Sequence, residues 1–177
     1  MNETIFQAEQ NNDGKDVLRL ADVKFNSVSS LLSKYGLSLR AVTEGSEIPG
    51  SYWGDEEAGL IGNELLVRAD TPLHSILHEA CHYVCMDESR RDGVHTDAGG
   101  DYDEENAVCY LQILLSANID DFGRMRMFRD MDQWGYSFRL GSARAWFERD
   151  AEDALAWLLQ KKLINEQQLP SWKLRKI

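Results

Sequence analysis

Apolar residues fall into two periodicities along this chain. From about residue 17 to 35, Val17, Leu18, Leu20, Val23, Phe25, Val28, Leu31 and Leu32 give an irregular apolar face that reads as a helix, ended by Lys34-Tyr-Gly36. Leu37 to Thr43 alternates, as a half-buried strand does. Glu44 to Asp55 carries glycines and a proline and reads as a loop, with Tyr52 and Trp53 as its anchors. Gly59 to Arg68 has two short apolar pieces around Gly62-Asn63, which fits a tight hairpin or a bulged strand. Helical spacing returns after Thr71, an N-cap candidate, and Pro72, a first helical residue. There Leu73, Ile76, Leu77, Ala80 and Val84 make one buried stripe.

A polar, glycine-bearing loop over Asp87–Asp103 leads into a helix to about Ala117, capped by Asp101 or Asp103, with Leu111, Leu114 and Leu115 on its core face. Arg124 to Trp134 has helical character, Gly135 to Gly141 is a glycine-bounded aromatic segment, and Ser142 to Leu163 reads as a strong helix. No internal repeat, low-complexity tract or linker divides these elements. The expectation is a polar segment over residues 1–16 and one α+β domain over 17–177, with a small, mostly antiparallel sheet on one side and helices on the other.

Composition narrows the function classes. At 177 residues the chain can bury a real core. A net charge of −11 and an isoelectric point near 4.8 argue against nucleic acid, whose phosphates need a basic surface. No apolar run approaches the roughly 20 residues of a membrane span, and the N-terminus lacks the basic flank and apolar core of a secretory signal. Cys81, Cys85 and Cys109 are odd in number and have no framework spacing. They read as small buried thiols in a reducing compartment, so a cytoplasmic protein is expected.

The chemistry is concentrated in His78-Glu-Ala-Cys-His82, the order H-E-x-x-H, inside the helix after Pro72. Positions i and i+4 of a helix lie one above the other, roughly 6 Å apart along the axis, so both imidazoles can reach one metal ion. The carboxylate following the first histidine then stands where it can take a proton from bound water. His74 shares that face but lies about 12 Å from His82 along the axis, too far for three histidines to bind one ion at about 2.1 Å each. It is expected to be structural, or to support the ligands from behind.

This stretch resembles the active-site helix of the zincin metallopeptidases, and within them the gluzincin group. The Glu104-x-x-Ala107 arrangement, with its following leucines, is similar to the second helix of small intracellular zincins. The resemblance implies a single zincin-like domain, a zinc ion on His78 and His82, a third ligand from a later glutamate, and Glu79 as general base. It also implies hydrolysis of a peptide or protein substrate by metal-activated water. In zincins the strand ahead of the metal helix is the sheet edge along which substrate lies, and Gly59–Arg68 is similarly placed.

Two choices stay open at this level. Glu104 and Glu105 point about 100° apart on a helix, so one of them can face the metal. The apolar series Ala107, Val108, Leu111 after Glu104 favours Glu104 over the more mixed Val108, Cys109, Gln112 after Glu105. The donor that stabilises the developing oxyanion is Tyr136, Arg139, His95 or Tyr102, with Tyr136 and Arg139 preferred. The alternatives to an enzyme are a non-catalytic metal-binding structural or regulatory protein and a fortuitous motif in an interaction module. A di-iron carboxylate protein is disfavoured, because the second Glu-x-x-His such a site needs is absent: Asp92-Gly-Val-His95 carries a glycine and lies in a loop.

Overall fold

The helix that carries His78 and His82 is buried on every side. In the computed structural model, which describes residues 16–177, it is α2, Leu73–Cys85, and all thirteen of its residues are buried. Apart from Asp16, the polar segment 1–16 lies outside the described residues. Such burial requires partners all round. α2 packs lengthwise on α4 (Tyr102–Ser116) and touches the sheet and α5 (Gly123–Trp134), while α7 (Glu152–Gln160) covers another face of α4. α1 (Phe25–Ser33), the short α3 (Glu88–Arg91) and α6 (Ala143–Arg149) complete the seven α-helices of the described residues around one continuous core.

The fold is α+β, and its sheet is mixed where a mostly antiparallel one was expected. Its order is β1 (Ser38–Ala41), β3 (Glu64–Val67), β2 (Gly59–Ile61). β2 and β3 form the expected hairpin around Gly62, which takes φ +58°, a conformation glycine adopts without Cβ strain. β1 runs parallel to β3, Ser38 opposite Glu64 and Ala41 opposite Val67. A parallel neighbour needs a long crossover, and the loop and β2 between residues 42 and 63 supply it.

Other boundaries differ for local reasons. The expected helix over 17–35 is a 3-10 turn, Leu20–Asp22, followed by α1, because Arg19 is extended and bridges to Pro72. Thr71 does not cap α2. Its hydroxyl accepts the Arg68 N–H at 2.8 Å, and Pro72 takes the cap position. The single helix expected over 142–163 breaks at Asp150, whose carboxylate pairs with Arg139. Tyr52 and Trp53 are not buried anchors: they are 57% and 42% exposed and pair edge to face.

The sheet edge is not available as the resemblance implied. β3 is paired on both sides. The outer side of β2 is taken at one end by Gly50–Ser51, with Leu60 N–H donating to Gly50 O at 3.3 Å. At the other end Gly62 N–H donates to Val94 O at 2.8 Å and Thr96 N–H donates to Leu60 O at 2.9 Å. Addition of a substrate strand along Gly59–Arg68 is therefore ruled out in this conformation.

The Gly50–Ser51 crossing depends on the absence of a side chain at residue 59, because a Cβ there would sit on the backbone of Pro49, Gly50 and Ser51. Backbone cannot rotate away as a side chain can. Gly59→Ala is expected to lower stability by about 1–3 kcal/mol, read as a fall in thermal midpoint, and to loosen the Tyr52–Trp53 loop, read as faster amide exchange over 49–54.

Candidate metal centre

Three side chains converge between α2 and α4. His78 and His82, one turn apart on α2, bring their Nε2 atoms to 3.0 Å from each other. The Glu105 carboxylate, from the first turn of α4, stands 3.6 Å from His82 Nε2. One donor atom from each of the three residues lies within 4.8 Å of the other two. Donors around one tetrahedral zinc stand about 3.3 Å apart, from metal–nitrogen bonds of about 2.0–2.1 Å. Two imidazoles and a carboxylate on this scale fit such an ion, with room for a fourth ligand.

The protein sets the proton on His78. Gln112 Nε2 donates to the His74 carbonyl at 3.3 Å, which turns Gln112 Oε1 towards His78 Nδ1 at 2.7 Å. An amide oxygen only accepts, so Nδ1 carries the hydrogen and Nε2 presents its lone pair to the centre. His82 Nδ1 is buried with no hydrogen-bond partner among the described residues, so its tautomer follows whatever engages Nε2. Burial, with His82 alongside, pushes His78 down to about 4, and burial, with Arg90 nearby, pushes His82 to about 4 as well. Both imidazoles are therefore neutral at pH 7, the form that binds metal.

The third residue corrects the sequence preference. Glu104 faces away from the histidines. Arg90 grips it with two hydrogen bonds of 2.8 Å, and Arg175 adds one of 3.0 Å. Its carboxylate is consumed by two guanidiniums on the apolar side of α4, which is where the series Ala107, Val108, Leu111 leads. Glu105 shares its face with Cys109 and Gln112, and Gln112 is the residue that orients His78. The buried glutamine seven positions after Glu105 was the signal that pointed to the metal face, and the mixed polarity of that face concealed it.

Glu79 stands between two cavities. One is lined by Trp53, Glu57, Ser75, Trp134 and Tyr136 together with His78 and Glu79. The other, about 590 Å³ counted to its open mouth, is lined by Tyr52, Trp53, Asp97, Gly99 and Glu105 together with both histidines and Glu79. Burial, then the neighbouring carboxylates of Glu57, Glu105 and Asp97, raise Glu79 to about 8. Burial also raises Glu105. Four acids around two neutral imidazoles make a space that favours a cation.

Of the other sequence candidates, Tyr136 is beside the centre, with its hydroxyl 3.1 Å from His74 Nδ1 and its ring edge-on to His78. Burial pushes its phenol well up, so it keeps its proton. Arg139 is turned outward and paired with Asp150. His95 is exposed in the bridge to Ile61, and Tyr102 is 55% exposed. His74 is fully buried, packed against Trp134 and Tyr136, as expected of a supporting residue. The three cysteines are free and buried, and burial holds all three thiols well up, which leaves them poor metal ligands. No described helix is long and apolar enough to cross a membrane.

Comparison with protein-family models, with curated proteins and with solved structures gave no match.

The two glutamates separate cleanly by experiment. Glu105→Ala is expected to weaken zinc binding more than about 100-fold with the fold intact, whereas Gln112→Leu loses about 10–100-fold, as for partners that orient a ligand. Glu104→Ala is expected to cost about 3 kcal/mol by leaving Arg90 and Arg175 without their carboxylate. That is the lower end of the range for a buried pair, because Arg90 is partly in water. Competition titration with a chromophoric chelator and thermal melts read the two effects. Full zinc affinity in Glu105→Ala would remove it as a ligand.

Proposed function

We propose that the chain is a zinc-dependent metallopeptidase of the zincin type, with His78, His82 and Glu105 as ligands and Glu79 as general base. The observation that carries this reading is the convergence of those three donors with a fourth ionisable group, Glu79, lining the cavities on both sides of His78. A purely structural site has no use for a base in that position, and such sites close with four protein ligands. The donor set matches the glutamate-containing branch of the fold family that the H-E-x-x-H sequence resembles.

Zinc, when bound, lowers the pKa of a coordinated water from about 15.7 towards 7. The remaining roles belong to the chain. Beside a dication the Glu79 carboxyl is held ionised, the state in which it accepts a proton and later passes it to the leaving nitrogen. Gln112 holds His78 in the ligating tautomer. Tyr136, protonated and fixed by His74, donates to the carbonyl oxygen of an amide placed in the cavity it shares with Glu79. Arg139, preferred equally from the sequence, has no part in this scheme because it points away.

One zinc per chain is expected in the wild type and none in the His78→Ala/His82→Ala double variant, by elemental analysis after zinc loading. Glu79→Gln should keep its zinc and its melting temperature. It should cleave a mixed peptide library at least about 100-fold more slowly, since glutamine cannot take the proton. Wild-type cleavage rates in Glu79→Gln would rule out Glu79 as the base.

A further inference from the structure

The carboxylate of Glu105 divides its two oxygens. Oε2 is the one that stands 3.6 Å from His82 Nε2, while Oε1 accepts the backbone N–H of Gly100 at 3.0 Å. Gly100 ends a loop whose preceding residues, Asp97, Ala98 and Gly99, wall the larger cavity. Asp97 accepts the Gly99 N–H at 3.1 Å, a bond that shapes the loop but does not tie it to α4.

Arg90 supplies that tie. Its own backbone is held at the start of α3, where Asp87 accepts its N–H at 3.0 Å. Nη1 and Nη2 of its guanidinium hold the Glu104 carboxylate, and Nη2 also donates to Gly99 O at 3.1 Å and, more loosely, to Ala98 O at 3.5 Å. Glu104 and Glu105 are neighbours in the first turn of α4, so one planar group joins the loop to the turn that carries the metal-facing carboxylate. The fit is close. A Cβ on Gly100 would overlap the Glu104 carboxyl, which is 2% exposed and gripped by both Arg90 and Arg175, with no room to retreat.

We infer that Arg90 is a positioning residue for the metal centre. It pins the loop at Gly99, and the next N–H along, that of Gly100, turns the Glu105 carboxylate so that Oε2 faces the histidines. This rests on the three-donor centre and not on peptide cleavage. A partner that orients a ligand directly is worth about 10–100-fold in metal affinity. Arg90 acts one bond further out, so about tenfold is expected. The same bonds make the cavity wall and Glu105 move together: a displaced loop weakens metal binding, and bound metal stiffens the loop by the same coupling.

The test measures metal rather than turnover. Zinc affinity of the 177-residue chain is read by competition with a chromophoric chelator in wild type, Arg90→Lys, Glu105→Ala and the double variant. Lysine keeps the positive charge beside Glu104 and near His82, but it cannot fork to the carboxylate and the loop carbonyls together. Arg90→Lys should bind zinc about tenfold more weakly, alter the visible spectrum of the cobalt(II)-loaded protein and speed amide exchange over 98–100. Arg144→Lys, at an exposed arginine paired with Glu148, should change none of these. In the Glu105→Ala background Arg90→Lys should change affinity by less than about twofold, because the group it positions is gone. Gly100→Ala, which forces the loop off Glu104, should show the same loss and the same dependence on Glu105, and decides the matter if Arg90→Lys does not fold. Unchanged affinity in these variants overturns the inference and leaves the centre standing. An equal loss with and without Glu105 overturns it too, since a loosened fold would act that way. Wild-type chain that takes up no zinc removes centre and inference together, whereas zinc-loaded chain that cleaves no peptide removes the metallopeptidase reading alone.

Discussion

Two imidazole nitrogens stand 3.0 Å apart, with a carboxylate 3.6 Å from one of them. Burial keeps both imidazoles neutral at pH 7. A hydrogen on His82 Nε2 satisfies the contact between the two rings only. A metal dication would engage all three donors at once and relieve the carboxylates that crowd Glu79. The surrounding fold enforces this arrangement. α2 is enclosed on every face, so its histidines cannot swing out to water, and its lengthwise packing on α4 sets how far Glu105 stands from them.

Glu104 and Glu105 show how one helical turn does two jobs. Asp101 caps the helix by accepting Glu104 N–H at 2.9 Å, and three acids in the first turn suit the dipole. Rotation by one residue then sends one carboxylate to the histidines and the other into the interior. The interior one is tolerated because Arg90 from α3 and Arg175 from the C-terminal segment neutralise it. Arg175, together with Arg91, also closes the end of α2. Arg175 donates to Cys85 O at 3.1 Å, while Arg91 donates to Tyr83 O at 2.9 Å and to Arg175 O at 2.8 Å. Carbonyls that a buried helix end would leave unmet are thereby satisfied. The C-terminal segment is thus part of what fixes α4 against α2, and so part of what places Glu105.

The sequence revealed most where one periodicity dominated. The hairpin at Gly62, the helix under His78 and His82 and the helix after Asp101 could all be read, because local spacing and caps decide them. It failed where a long-range partner decided. Parallel pairing of β1 with β3 leaves no local mark. Thr71 is a local failure: it forgoes capping for a bond to Arg68, three residues before it, that only the turn geometry creates. The choice between Glu104 and Glu105 as the carboxylate beside the histidines shows a further limit. Amphipathic logic assigns a glutamate to the apolar face, yet a metal face is polar by necessity, since it must carry the ligand and the group that orients the next ligand. Gln112, buried and hydrogen-bonded to His78, marks that face. Arg139 looked like a cleft residue because its segment lines the cleft at Tyr136, but three residues further on the chain has turned to solvent.

The covered edge of β2 shapes the cavities beside the histidines. The two segments that occupy it, Gly50–Ser51 and Val94–Thr96, run directly into the two loops that wall the cavities, Tyr52–Trp53 on one side and Asp97–Gly99 on the other. The edge that would have offered backbone hydrogen bonds to any peptide holds those walls in place instead. Strand addition reads a peptide through its main chain and is tolerant of sequence. The walls of the cavities beside the histidines are side chains instead, Trp53, Glu57, Trp134 and Tyr136 among them. Loops on a rigid scaffold are also where sequence changes at least cost to the core. The histidines and Glu105 sit on α2 and α4, while the loops held against β2 supply much of the rest of the cavity walls.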